Sequence, residues 1–228
     1  PEHDRAEISG RKTRLPLAKD QLLTALAELR KPDAKREFVQ SVELVVKLRE
    51  VDLKKPENRI NESIELPNSL EKDTKICVIA GGDLATRARA GQADLVLARE
   101  DLENLGKDKK AARKLASEYD FFIAEAPLMP LVGKTIGSTL GPKGKMPTPV
   151  PPTAPIDQMV KSHRKLVRVR VRDQPVVQCR IGTEKMPDDK IAENAQAVFG
   201  RIEAKLERGS KNIGGVLIKT TMGKPVKV

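Results

Sequence analysis

Residues 74–126 carry the pattern that most narrows the fold. Three short apolar runs, 75–80 (KICVIA), 93–98 (ADLVLA) and 120–126 (DFFIAEA), alternate with two amphipathic stretches. Gly81-Gly82 closes the first run, and Asp83 is placed to cap the helix that follows. The next stretch sets Leu102, Leu105, Ala112, Leu115 and Ala116 on one helical stripe. Strand–helix–strand–helix–strand specifies a small parallel sheet of the doubly wound kind.

Two breaks bracket that unit. One is LPNSLEKDT, at 66–74; the other is GPKGKMPTPVPPTAP, at 141–155, with six prolines. Proline fixes φ and withholds a donor, so the second break cannot extend a helix or a central strand. It reads as a stiff, extended connector. Before the unit lie one helix at 15–30, with Leu15, Leu22, Leu26 and Leu29 on one face, and a strand at 38–48, with Val42, Leu44, Val46 and Leu48 inward. After it, KLVRVRVRD and PVVQCRIG read as a hairpin. A helix follows, with Pro187 in its first turn and a stripe of Ile191, Ala195, Val198, Ile202 and Leu206. Val216–Thr220 is the last strand. One helix and a strand or two cannot bury a core alone. The two ends must therefore fold together. The expected class is α/β in two domains: a discontinuous two-layer α/β domain from 1–67 and 160–228, and an inserted, Rossmann-like, doubly wound parallel domain at 68–159, reached through two parallel connectors.

Charge assigns a partner. The 43 Lys and Arg outnumber 32 Asp and Glu, a net of +11. Residues 1–67 and 68–159 each carry +1, whereas 160–228 carries +9. A polyanion, nucleic acid above all, should dock on the terminal domain and not on the insert. In the strand at 166–172, Arg168, Arg170 and Arg172 share one face while Val167, Val169 and Val171 enter the core. Guanidiniums two residues apart stand ~6.5 Å from one another, near the phosphate repeat of a nucleic-acid strand, and no local acid pairs with them. The alternative is a solvated outer sheet face.

Aromatic residues make up only 2% of the chain, with no Trp. Stacking of single-stranded bases is disfavoured. A folded RNA, read through backbone, 2′-hydroxyls and shape, fits better. Such a surface wants small hydroxyls and close backbone approach. Ser41, Thr220 and Thr221 supply hydroxyls, Gly223 removes a side chain, and Met222 offers flexible apolar surface. Lys219 precedes that row. Phe38, flanked by Lys35 and Arg36, is placed to stack on a base. The alternatives are an ordinary turn after the last strand and, for Phe38, a place in the core.

Other chemistries are poorly served. VGKT, at 132–135, imitates the end of a phosphate loop, but Leu128 stands where its first glycine belongs. IAGGD lacks the spacing of a dinucleotide fingerprint. Neither is expected to bind a nucleotide. His3 and His163 are the only histidines, and Cys77 and Cys179 read as packing residues, so no metal, cofactor or catalytic site is expected. Widely separated cysteines fit a reducing cytoplasm. No apolar run approaches the ~20 residues of a membrane span, and PEHDRAEISGRK lacks the apolar core of a secretory signal. The leading expectation is a non-enzymatic RNA-binding protein. The competing ones are a nucleotide- or sugar-phosphate-dependent enzyme using the inserted sheet, and a DNA-binding repressor, which lacks a basic recognition helix.

Five segments resemble the L-one family of large-subunit ribosomal proteins in its archaeal form: REFVQSVELVVKLREVDLKKPENRI, YDFFIAEAPLMPLVG, LGPKGKMPTPVPP, RVRDQPVVQCRIGTEKM…AENAQAV and the terminal IKTTMGKPVKV. The resemblance covers nearly all of the chain beyond about residue 15; residues 1–14 do not match. It implies two domains on a hinge, the terminal one binding the stalk rRNA beside the tRNA exit site. It further implies contact with departing deacylated tRNA, repression of translation of the protein's own mRNA, and a monomer in the cytoplasmic ribosome. By position, Phe38 and Ser41 correspond to RNA-contacting residues of the first strand, and Thr221, Met222 and Gly223 to the contact row of the last. Glu37, before the Phe, and Gly215, expected before the last strand, depart from the family pattern.

Overall fold

The structure, a computed structural model, describes residues 17–31, 37–53, 60–70, 74–171 and 174–228. It divides into two compact units. One holds the described residues through Ile64 together with Arg168–Val228; the other holds Glu65–Val167.

The first unit contains α1 (Lys19–Leu29), β1 (Ser41–Leu48) and β2 (Asn61–Glu65) from the N-terminal side. From the C-terminal side come β7 (Leu166–Arg170), β8 (Val176–Thr183), α8 (Asp188–Lys205), β9 (Ile213–Thr220) and β10 (Val226–Lys227), with β2 and β7 reaching into the second unit. One antiparallel sheet runs β10-β9-β1-β8. β1 is its centre because Val42, Leu44, Val46 and Leu48 all point to one buried face. The stripe Ile191, Ala195, Val198 and Ile202 of α8 is buried, and Asn194 among it donates to Ile181 O at 2.9 Å. Gly182 is required where this helix meets the sheet: a Cβ there would lie 2.9 Å from Ile191 Cγ1. The two layers are thus built from both chain ends.

The expected hairpin is corrected. β7 pairs with β2, not with β8. Val171 N donates to Ile60 O and Leu66 N to Lys165 O, so β2 and β7 run antiparallel. β8 instead lies on β1, with Lys47 opposite Val176, and Leu48 N donates to Pro175 O. Alternation specifies a strand and its faces; it leaves the partner open. β2 and β7, rather than the proline segment, are the connectors, and they run in opposite directions.

The second unit is a parallel sheet, β4-β3-β5-β6, formed by β3 (Ile76–Ile79), β4 (Leu95–Leu97), β5 (Phe121–Glu125) and β6 (Thr148–Val150). α2 (Gly82–Ala90) and α7 (Ile156–His163) cover one face. α3 (Arg99–Lys107), α4 (Lys109–Glu118), α5 (Met129–Thr135) and α6 (Gly137–Lys143) cover the other, which is the doubly wound arrangement. Three local expectations are corrected. Asp83 does not cap α2; Gly81 is the cap residue, and Asp83 pairs with Arg87 one turn on at 2.9 Å. The helix expected across Leu102–Ala116 is two helices, because Asp108 turns extended and its Oδ1 accepts the N–H groups of Lys110 and Ala111. The proline segment ends α6, with Pro142 inside it, and then forms β6 at the sheet edge, where Pro149 needs no ladder donor.

Candidate RNA-binding surface

The first residues of β1 and the last of β9 meet at one end of the antiparallel sheet, with Val42 opposite Thr220 and Ser41 opposite Thr183 on β8. Beyond Thr220 the chain leaves the sheet, and hydrogen bonds hold the departing turn. Thr221 N donates to Ser41 O at 3.0 Å. Ser41 N donates to Thr221 Oγ1 at 3.0 Å, and that hydroxyl reaches back to Ser41 O at 3.4 Å. Met222 N donates to Gln40 Oε1 at 3.1 Å, and Gly223 N to Thr220 Oγ1 at 3.0 Å. The turn is therefore clasped to the entry of β1 by four donors from the two segments.

The clasp also gives the hydroxyls partners inside the protein. The Thr221 hydroxyl accepts from Ser41 N and reaches Ser41 O, while the Thr220 hydroxyl accepts from Gly223 N and keeps its O–H and a second lone pair for an outside partner. What the turn presents outward is Met222, 60% exposed. Phe38 and Val39 are exposed at 50% and 43% on the approach to β1, so Phe38 is not a core residue. Among the described residues only Met146, in the other unit, is a further large apolar side chain so exposed. Apolar surface gathered at one end of a basic unit suits a partner that offers ribose and base edges between phosphates.

The predicted residues do not all converge here. Phe38, Ser41, Thr220, Thr221, Met222 and Gly223 do. Lys219 lies on the same strand opposite Glu43, on the face turned from the helices. Arg168 and Arg170 lie on β7 in a different sheet, half-buried and alternating with the buried Val167, Val169 and Val171. Neither arginine is without a partner inside the protein, which corrects the reading of unpaired charges. Lys35, Arg36 and Arg172 lie outside the described residues. Gly215 falls inside β9, opposite Lys47, rather than before it. Sequence reasoning missed Gln40, which bonds both Met222 N and Glu184 N. It also missed the exposed cations Lys185 and Lys224, each one residue from a clasped position.

The two free thiols are buried, Cys77 on β3 and Cys179 in mid-β8, and burial pushes each up to about 12. Among the described residues no group of three His, Cys, Asp or Glu is arranged to hold a metal ion, and no helix is long and apolar enough to cross a membrane. VGKT lies within α5, a helix, with no loop to cradle a phosphate.

Comparison with known proteins supplies the kinship. A model of the ribosomal protein L1p/L10e family matches residues 29–224. The protein named large ribosomal subunit protein uL1 of Methanothermobacter thermautotrophicus is 45% identical over 208 residues, 91% of this chain and 98% of that protein. Its namesake from Thermofilum pendens is 49% identical over 195 residues, 85% of this chain and 86% of its own length. That from Pyrococcus horikoshii is 46% identical over 217 residues, covering 95% and 99%. Because the family match runs through both units and takes in the clasped turn as well as the parallel sheet, the chain belongs to the ribosomal protein L1p/L10e family.

Proposed function

We propose that the chain is a non-enzymatic protein of the large ribosomal subunit that binds rRNA through the clasped end of its terminal unit. The observation that carries this is the Ser41–Thr221 clasp, which ties the turn bearing the exposed Met222 to the entry of β1, at the end of the stretch with the largest positive excess. Shape and backbone are what such a surface can read. Residues 1–67 and 160–228 form the RNA-binding domain in this reading, and 68–159 the insert. The RNA is the stalk rRNA beside the tRNA exit site, and the protein acts as a monomer in the cytoplasmic ribosome. Two further roles follow from placing it there: aiding release of deacylated tRNA, and repressing its own mRNA through an element that imitates the rRNA site.

The test is binding to large-subunit rRNA across a salt series. Six or more phosphate contacts predict a fall in affinity of ~10³ or more between 50 and 200 mM salt. A flat response contradicts the proposal.

The parallel sheet favours a second reading, an enzyme acting on a nucleotide or sugar phosphate. Against it, the N-terminus of α2, where a phosphate would sit in a doubly wound sheet, receives the Glu125 carboxylate: Gly81 N donates to Oε2 at 3.0 Å. A nucleotide at ~100 times its Kd would add ~2.7 kcal/mol of stability. Melting unchanged by nucleotides discards this reading; a clear rise revives it.

A further inference from the structure

The insert is nearly neutral by composition, with 13 basic and 12 acidic residues between 68 and 159. Its charges are nevertheless segregated. Its carboxylates are largely engaged with the unit itself. Asp83 pairs with Arg87, Glu103 with Arg99 and Glu118 with Lys75, at 2.9, 3.2 and 3.3 Å. Asp101, Asp108 and Glu125 accept backbone N–H groups.

On the helical face formed by α3, α4, α5 and α6 opens a groove of about 680 Å³. Lys109, Arg113, Lys134 and Lys143 line it, and no carboxylate does. All four are exposed. Among the described residues Lys109, Arg113 and Lys134 form no ion pair, while Lys143 Nζ donates to the Ser117 hydroxyl at 2.7 Å. Ser138 and Thr139 add hydroxyls to the wall.

Helix α4 bears a cost for this arrangement. Lys109 and Lys110 occupy its first turn, just past the N-cap Asp108, whose carboxylate already accepts the N–H groups of Lys110 and Ala111. Lys109 and Arg113 stand four apart on one face, a like-charge pair that weakens a helix. A bound anion relieves that repulsion. Along α4 successive members of the row Lys109, Arg113, Ser117 rise ~6 Å, close to the spacing of phosphates on a nucleic-acid strand. No aromatic side chain lines the groove, so it has no platform for a stacked base or a nucleoside.

We infer that this groove is a second RNA-binding site, one that takes the phosphodiester backbone of an RNA segment. The inference rests on the RNA-binding function proposed above. An RNA that engages both units gains affinity by linkage of the two sites.

The test is lysine footprinting on the intact chain, by acetylation and mass spectrometry. The probes are purified large-subunit rRNA and, separately, inorganic phosphate at the same phosphorus concentration. With rRNA, modification of Lys109, Lys134 and Lys143 falls severalfold together with that of Lys219 and Lys224; with phosphate it does not. If rRNA shields Lys219 and Lys224 but leaves the groove lysines as reactive as before, the second site is overturned while the first stands. If neither set is shielded, the proposed function falls and this inference with it. If phosphate shields the groove as well as rRNA does, the groove is a free-anion site and the backbone assignment is overturned. A variant combining Lys109→Gln, Arg113→Gln and Lys134→Gln supplies the independent reading. The slope of log affinity against log salt becomes shallower by ~2–3, at ~0.9 per duplex phosphate contact; an unchanged slope refutes the site.

Discussion

Thr221→Val removes one oxygen and keeps the side-chain volume. The lost oxygen accepts the N–H of Ser41 at 3.0 Å and touches Ser41 O at 3.4 Å. The carbonyl is still served by Thr221 N at 3.0 Å, so its loss costs little. The cost falls on the half-buried Ser41 N–H, left without its acceptor. A net hydrogen bond is worth ~0.5–1.5 kcal/mol, and partial access of water holds the figure near 1 kcal/mol. Against a typical stability of ~5–15 kcal/mol the chain stays folded. For a chain of this size a change of that order lowers Tm by ~2–4 °C. The effect on RNA is separate: without the side-chain half of the clasp, Met222 and Gly223 lose their fixed position. Affinity for labelled large-subunit rRNA, read by anisotropy at constant salt, should fall about tenfold, ~1.4 kcal/mol. Thr221→Ser keeps the oxygen and should behave as the parent. Val binding as tightly as Thr, or Ser losing as much as Val, would show that the Thr221 hydroxyl does not position the turn for RNA.

Met222→Asp should leave Tm unchanged, since the side chain is 60% exposed and such surface changes stay within ~0.5 kcal/mol. It should still weaken rRNA binding about tenfold, less at high salt, where screening shortens the reach of the new carboxylate. Anisotropy and melting on the same sample check both halves. Asn194→Ala should do the reverse: Nδ2 donates to Ile181 O at 2.9 Å in the core, so stability falls by ~1–3 kcal/mol while the folded protein binds rRNA normally. His163 is buried, its Nδ1 at 2.7 Å from Met159 O. Burial holds its pKa below the ordinary 6.5, outweighing the Met159 carbonyl and Glu65, which pull the other way. The unfolded chain therefore takes up a proton before the folded one does. Stability should fall as pH drops from about 6.5 towards that lowered value and level off below it. His163→Gln should flatten this part of the Tm–pH curve; an equally steep curve would contradict the assignment.

Elements with strong periodicity were legible in the sequence. The alternation from Val42 to Leu48 and the stripe from Ile191 to Ile202 are local statements of which face is buried, and burial is what the fold satisfies. Partner choice was not legible. The pattern of valines in β7 is equally compatible with β8 and β2, and only packing across distant segments decides between them. Asp108 broke a helical stripe because capping two backbone N–H groups outweighed continuing the helix. Pro149 entered a strand because the strand is an edge. At the site, the Thr-Thr-Met-Gly row was visible as chemistry, but the part its hydroxyls play in holding the turn was not. Thr221 and Thr220 build the turn, and Met222 is what faces out. Gln40 could not be found, since its bond to Met222 spans 182 positions. The cationic groove of the insert was hidden by a balanced charge count, because a sum does not record where the acids are engaged.

In the proposed function, the segments clasped through Ser41 and Thr221 form the surface that grips rRNA. Ultraviolet crosslinking of the intact chain to large-subunit rRNA, with the crosslinked peptides mapped by mass spectrometry, addresses it directly. Crosslinks are expected in the peptides carrying Phe38–Ser41 and Thr220–Gly223, reduced together by Met222→Asp. Crosslinks confined to other peptides, with these two segments unmodified, would contradict it.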